Sequence, residues 1–149
     1  MRQKALAIIQ ARTGSTRLPN KVLLKLAGKT VLEQVISRVS QAKNVDKVIV
    51  ATTKKIEDDK IEKLGGRLGV EVFRGSENDV LDRFYQAARL HQARHIVRVT
   101  GDCPLVDPPI IDHVVALYQN NNLDYVTNVI PPTFPAGLDT EIFSVAALE

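Results

Sequence analysis

Ala5-Leu6-Ala7-Ile8-Ile9 runs directly into Gln10-Ala11-Arg12-Thr13-Gly14-Ser15-Thr16-Arg17-Leu18-Pro19-Asn20-Lys21, and this junction decides the fold. A continuous apolar run is what a strand covered on both faces needs, because side chains of both alternating sets must be buried. The stretch after it is polar, carries Arg12, Arg17 and Lys21, and has Gly14-Ser15-Thr16 at its middle. A buried strand opening into such a loop predicts an α/β protein whose ligand site lies at the strand's carboxyl end.

The rest of the chain repeats the alternation. A helix is expected from Val31 to Ala42, with Val31, Leu32, Val35, Ile36 and Val39 on one stripe. Thr30 and Glu33 form a T-x-x-E capping box at its start. Val48 to Ala51 reads as a strand, and Glu57 to Leu64 as a charged helix stopped by Gly65-Gly66. Val70 to Phe73 is a third strand. The helix from Asp79 to His91 turns Val80, Leu81, Phe84, Ala87 and Ala88 inward, while Asp82 and Arg83 face water. Ile96 to Val99 is the fourth strand, and Thr100 to Val106 is its loop. Asp107 caps the next helix, with Pro108 in the first turn and Ile110, Ile111, Val114, Val115 and Tyr118 buried. Tyr125 to Thr127 and Ile142-Phe143 are short strands around a proline-rich loop, Pro131 to Gly137. Strand–helix alternation requires right-handed crossovers and a three-layer fold: a mainly parallel twisted sheet flanked by helices. Ser144 to Glu149 reads as a helix just beginning, so a single domain over 1–149, truncated at its C-terminal end, is expected.

Composition closes off several classes. The 44% hydrophobic and 25% charged fractions are those of a globular chain, which excludes fibres and disordered tails. The net charge is +3 without any basic run, so nucleic acid is not an expected partner. A single cysteine, Cys103, leaves no intramolecular disulfide. The start, Met1 to Lys4, leads into an apolar stretch too short for a secretion signal or a membrane span. A soluble, cytoplasmic protein without a membrane partner is the expectation.

The first loop has the chemistry of a polyphosphate cradle. Arginine forks match phosphate oxygens in pairs, lysine supplies a point charge, and successive amides form an anion nest. Gly14 permits close approach of backbone to ligand. Gly28-Lys29-Thr30 ends like a Walker A loop, but Leu23 stands where its first glycine is required. No G-x-G-x-x-G is present, so no dinucleotide fingerprint exists.

Ile8 to Lys21 closely resembles the opening of the spore coat polysaccharide biosynthesis protein F family. That family belongs with the cytidylyltransferases that activate acylneuraminate and KDO, of the nucleotide-diphospho-sugar transferase fold. The resemblance implies triphosphate binding by Arg12 and Lys21, with Gln10, Ala11, Gly14, Ser15 and Arg17 alongside. Arg74-Gly75-Ser76-Glu77-Asn78-Asp79 is similar to the family segment that approaches the nucleoside, which implies contacts from Arg74, Gly75 and Ser76. Ser76-x-x-Asp79 also reads as a capping box. Thr100-Gly101-Asp102-Cys103-Pro104-Leu105 resembles the family's G-D-x-P-L element, whose aspartate holds Mg²⁺, which implies Asp102 as the metal ligand. A carboxylate at a strand end fits magnesium's preference for few protein ligands. Cys103 reads as a packed side chain. Gly137-Leu138-Asp139-Thr140-Glu141 resembles a G-L-D-x-E element beside the sugar site, implying Asp139 and Glu141 as substrate contacts.

The expected function is Mg²⁺-dependent transfer of CMP from CTP to a sugar or sugar acid, with pyrophosphate released, in surface or spore-coat polysaccharide biosynthesis. Arg12, Lys21 and Asp102 are its catalytic residues, and the resemblance implies a homodimer. Use of another nucleoside triphosphate, or a non-catalytic nucleotide-binding module, are the alternatives.

Overall fold

The computed structural model describes residues 5–148. Met1 to Lys4, and Glu149 at the end of the expected C-terminal helix, lie outside the described residues. The chain begins with β1 (Ala5–Gln10). A small hairpin of β2 (Lys25–Leu26) and β3 (Lys29–Thr30) follows, then α1 (Val31–Val39), β4 (Lys47–Thr53) and α2 (Asp59–Leu68). Next come β5 (Glu71–Gly75), α3 (Val80–Leu90), β6 (His95–Thr100) and α4 (Pro108–Asn121). β7 (Tyr125–Thr127) and β8 (Glu141–Ser144) complete the sheet, and Val145–Leu148 form a 3-10 turn.

The six strands of the main sheet lie in the order β5-β4-β1-β6-β8-β7. The pairings β5–β4, β4–β1 and β1–β6 are parallel, while β8 is antiparallel to both β6 and β7. β1 is the central strand, and its continuous apolar run is explained by its two buried faces. Ala5, Ala7 and Ile9 join a core with Leu32, Val35, Ile61, Leu64, Ile111 and Val115, which places α1, α2 and α4 on one face. Leu6 and Ile8 join Phe84, Ala87 and Ala88 of α3 on the other. This is the expected three-layer α/β arrangement.

Several local readings are corrected. α2 does not stop at Gly65-Gly66 but runs to a left-handed Gly69, φ 68°. Gly65 serves packing instead. A Cβ there would stand 2.2 Å from Val72 Cγ2, so the glycine lets α2 lie directly on β5. In α3, Leu81 points outward at 65% exposure, whereas Arg83 is buried. Positions 80, 83, 84, 87 and 88 form the inward stripe at helical spacing, and Arg83 completes it. Asp79, not Ser76, is the N-cap of α3, accepting from the Asp82 amide at 2.8 Å. Asp107 occupies the N-cap position of α4 without a side-chain cap bond, and pairs with Arg38 at 3.6 Å instead. The Thr30–Glu33 capping box is present, although α1 ends at Val39 rather than Ala42. Gly28-Lys29-Thr30, which resembled the end of a Walker A loop, belongs to the β2–β3 hairpin. Ala27 (φ 50°) and Gly28 (φ 83°) form its turn, a left-handed pair suited to tight hairpins.

The topology fixes where ligands can reach the sheet. From β1 the chain moves through β4 to the β5 edge, then α3 carries it back to β6 on the opposite side of β1. The loops after β1 and β6 therefore part at the switch point of the sheet, where open α/β folds bind ligands.

Candidate active site

Gly101 lets the two loops meet. Its amide donates to the Gln10 carbonyl at 2.8 Å. A Cβ at Gly101 would stand 2.9 Å from both Ala11 Cβ and Gln10 O, which leaves no room for any other residue. Above this contact lies a cavity of about 230 Å³, lined by Gln10, Ala11, Arg12, Ser15, Thr16, Arg17, Lys21, Val22, Thr100 and Asp102. Three cations from the first loop and one carboxylate from the second thus share one crevice.

The first loop is held from beneath by Asp58, which sequence reasoning missed. Asp58 is buried, and its Oδ1 accepts from both the amide and the hydroxyl of Thr13 at 2.8 Å. The Thr53 hydroxyl donates to the other oxygen. Burial pushes the Asp58 carboxyl up, but the bonds from Thr53 and Thr13 outweigh it and hold the group below its ordinary range. The Thr13 carbonyl in turn accepts from Ser15 N at 2.8 Å and Asn20 N at 3.0 Å. The loop is thus shaped by bonds within the chain. The available signal was Thr52-Thr53 at a strand end with a carboxylate five residues beyond Thr53.

Lys21 and Asp102 form an ion pair across the cavity, each about one-third exposed. Burial raises the Asp102 carboxyl, and the Lys21 bond and charge overcome this, so its pKa lies below the ordinary aspartate value. Arg12 extends toward Glu77 at 3.9 Å, and Glu77 binds Lys55 at 2.8 Å. Arg12, with Gly14, Asn20, Lys55, Asp58 and Glu77, also borders a second cavity of about 300 Å³ on the β4 side of the loop. Gly14 has no positive φ, and a Cβ there would meet nothing within 4 Å. Its freedom is not used by the fold.

The other expected contacts lie apart from the crevice. Arg74 sits at the end of β5, with its donors on Asp59 (2.6 Å), Glu62 (2.9 Å) and the carbonyls of Thr53 (3.0 Å) and Lys55 (2.6 Å). Gly75 makes room for Arg83, since a Cβ would stand 2.8 Å from Arg83 Cγ. The Ser76 carbonyl accepts from Arg83 Nη1 at 2.6 Å. Glu141 lies opposite Arg98 in the β6–β8 register and is paired with it, while the Tyr125 hydroxyl donates to Oε1 at 2.7 Å. Arg98 also reaches Gln10 Oε1 at 3.4 Å, which links this network to the cavity. Asp139 stands near the β6 loop, where its charge adds to the upward shift that burial gives the Cys103 thiol. The thiol is half-buried and lies 3.0 Å from the Thr100 hydroxyl. Asn128, also unforeseen, holds the proline-rich loop by accepting from Thr140 N and donating to Leu138 O, both at 2.9 Å.

A sequence profile described as Cytidylyltransferase matches residues 6–148. The chain belongs to the cytidylyltransferase family. An uncharacterized protein of Methanocaldococcus jannaschii is 51% identical over 148 residues, covering 98% of this chain and 59% of that protein. The spore coat polysaccharide biosynthesis protein SpsF of Bacillus subtilis is 42% identical over 80% of this chain and 52% of its own length. The chain thus spans little more than half of these relatives. A solved cytidylyltransferase from Leptospira borgpetersenii superposes with a TM-score of 0.94 at 42% identity, covering 98% of this chain and 62% of that one. No helix among the described residues is long and apolar enough to cross a membrane.

Proposed function

We propose that this cytidylyltransferase uses magnesium to transfer CMP from CTP to a hydroxyl of a sugar or sugar acid, in surface or spore-coat polysaccharide biosynthesis. The observation that carries this reading is the single crevice at the β1/β6 switch point, lined by Arg12, Arg17, Lys21 and Asp102. The hydroxyl oxygen attacks the α-phosphorus, the bond to pyrophosphate breaks, and the hydroxyl proton leaves to solvent. Such a step needs positioning and charge neutralisation more than covalent help from the protein.

In this reading Arg12 and Lys21 hold the β- and γ-phosphates, with Arg17 beside them. The Ser15 hydroxyl is the neutral donor beside them, since the Ala11 and Ser15 amides are already bonded to the Ala51 and Thr13 carbonyls. Ala11 lines the crevice, Gly14 reaches it from the second cavity, and Gln10 adds its carboxamide. Asp102 suits magnesium because its carboxylate, just beyond the end of β6, lines the crevice beside the cations of the first loop. No three potential metal ligands are grouped among the described residues, so in this reading phosphate oxygens and water would complete the shell. Bound there, the metal would draw charge from the phosphates. Arg74, Gly75 and Ser76 act behind the second cavity, by fixing α2 and Arg83. Asp139 and Glu141 belong to the acceptor side. A homodimer and cytoplasmic placement complete the proposal.

A thermal-shift panel of CTP, UTP, GTP and ATP, each with and without Mg²⁺, tests it. CTP at 100 times its dissociation constant adds about 2.7 kcal/mol. Selective stabilisation by CTP with metal, followed by pyrophosphate release with an acceptor sugar, is the expected result. A stronger response to another nucleotide would reassign the base. Binding without pyrophosphate release from any acceptor would favour a non-catalytic module.

A further inference from the structure

The cation assigned to the triphosphate and the carboxylate assigned to the metal are bound to each other. Lys21 and Asp102 reach across the crevice from different loops, and neither has another ion pair among the described residues. We propose that this pair is a latch which masks both half-sites, so that metal and nucleotide bind well only together. The inference rests on the roles assigned to Lys21 and Asp102 above.

The electrostatics follow from what each ligand would leave behind. A metal ion arriving alone at Asp102 displaces Lys21 and leaves an ammonium facing a divalent cation. A triphosphate arriving alone draws Lys21 away and leaves a bare carboxylate facing phosphate oxygens. Like charges at such distances in a partly desolvated crevice are costly. A metal–triphosphate chelate gives each group a new partner of opposite sign, so the pair opens once and both charges are met. Each ligand must then raise the affinity of the other by the same factor. The loops themselves need not move. Lys21 begins a short 3-10 turn (Lys21–Leu23), and Gly101, next to Asp102, is fixed on the Gln10 carbonyl. Opening the latch is therefore a side-chain event.

Arg17 provides the control. It lines the same cavity with the same charge, and among the described residues no ion pair ties it to a carboxylate. Removing Arg17 changes the field in the crevice and leaves Asp102 paired, whereas removing Lys21 frees it. Calorimetry with Mn²⁺ as probe compares the wild type with Lys21→Met and Arg17→Met, first without nucleotide. The latch requires nucleotide-free Mn²⁺ to bind about tenfold tighter to Lys21→Met, within the usual range of coupling, and Arg17→Met to give only the clearly smaller gain that loss of one unpaired cation from the crevice brings. Asp102→Asn should bind metal-free CTP more tightly than the wild type, because Lys21 is then free. In the wild type, Mn²⁺ and CTP should each bind weakly alone and strongly together.

Equal Mn²⁺ gains in the two lysine and arginine variants, or additive binding of Mn²⁺ and CTP in the wild type, would overturn the latch and leave the site standing. No binding of CTP with Mn²⁺ to the wild type would overturn both.

Discussion

The buried carboxylate of Asp58 accepts both the amide and the side-chain hydroxyl of Thr13 at 2.8 Å, tying the cationic loop to the end of β4. Thr53 supplies a third bond from that strand. The loop's cationic and hydroxyl groups are thus positioned by a residue that does not line the β1/β6 crevice. Asp58→Ala removes three charge-assisted bonds and leaves Thr13 donors facing a void, a loss of about 3 kcal/mol. The melting temperature should fall by roughly 6–12 °C for a chain of this size. CTP affinity should fall as well, since the loop must then be ordered by the ligand. A thermal melt and a nucleotide titration of the variant check both.

The same carboxyl sets an acid limit. Its folded pKa lies below the ordinary value of 3.8, so its contribution is complete above that value and is lost as pH falls through the folded pKa. Wild-type stability should therefore drop below about pH 4, where an unperturbed aspartate takes up its proton. Asp58→Asn should be less stable at neutral pH and show a shallower acid dependence. Denaturant midpoints from pH 3 to pH 7, a range set by that aspartate value, measure the difference. Parallel curves for the two proteins would place the acid limit elsewhere.

Two glycines should behave in opposite ways. Gly101→Ala pushes a methyl against Ala11 and the Gln10 carbonyl, both within 2.9 Å, and overpacking of this kind costs about 1–3 kcal/mol. Stability and CTP binding should fall together. Gly14→Ala meets nothing within 4 Å and has no positive φ, so stability should hold or rise by about 0.4–1 kcal/mol. A fall in CTP affinity alone would show that the proposed phosphate site reaches Gly14 from the second cavity that it borders, and unchanged affinity would leave Gly14 outside it. Melts with and without CTP separate the two effects.

Arg74 and Arg12 divide along the same line. Arg74 makes four bonds that join β5, α2 and the loop after β4. Its carboxylate partners are 41% and 52% exposed, so Arg74→Met should cost only about 1–2 kcal/mol after solvent screening. Arg12 is 52% exposed with one long contact to Glu77, and Arg12→Met should leave the melt unchanged while weakening CTP. A larger loss of CTP affinity in Arg74→Met than in Arg12→Met would move Arg74 into the site.

The sequence carried the parts of this arrangement that depend on local pattern. The doubly buried β1, the Thr30–Glu33 cap and the proline start of α4 all follow from short-range rules, and the structure contains each. The strand alternation located the crevice, because topology alone dictates which loops part. Long-range pairing was not legible. Asp58 reaches Thr13 across 45 positions, and Arg98 meets Glu141 across 43. Polar residues at such separations look solvated until the fold brings them together. Arg83 illustrates the same limit, since its inward position in α3 is set by room that Gly75 leaves on β5. Gly65-Gly66 misled for a related reason. A glycine needed for close helix–strand packing and a glycine that ends a helix are the same letter.

Lys21 offers the sharpest test of how the crevice is divided between phosphates. Its ammonium enters from the 3-10 turn that ends the first loop, opposite Asp102, while Gly14 and Ser15 lie earlier in that loop. In the proposed site that point charge acts on the β- and γ-phosphates, which CTP carries and CMP lacks. Loss of a charge-assisted phosphate contact is worth about 1.5–3 kcal/mol, or roughly tenfold to a hundredfold in affinity. Lys21→Ala should therefore weaken CTP binding in the presence of Mg²⁺ by that factor and change CMP binding by less than about threefold, under 0.7 kcal/mol. Competition titrations of the two nucleotides against one fluorescent analogue give both constants from one preparation. Equal weakening of CTP and CMP would set Lys21 at the α-phosphate, and the pyrophosphate would then have to be held by Arg12 and Arg17 alone.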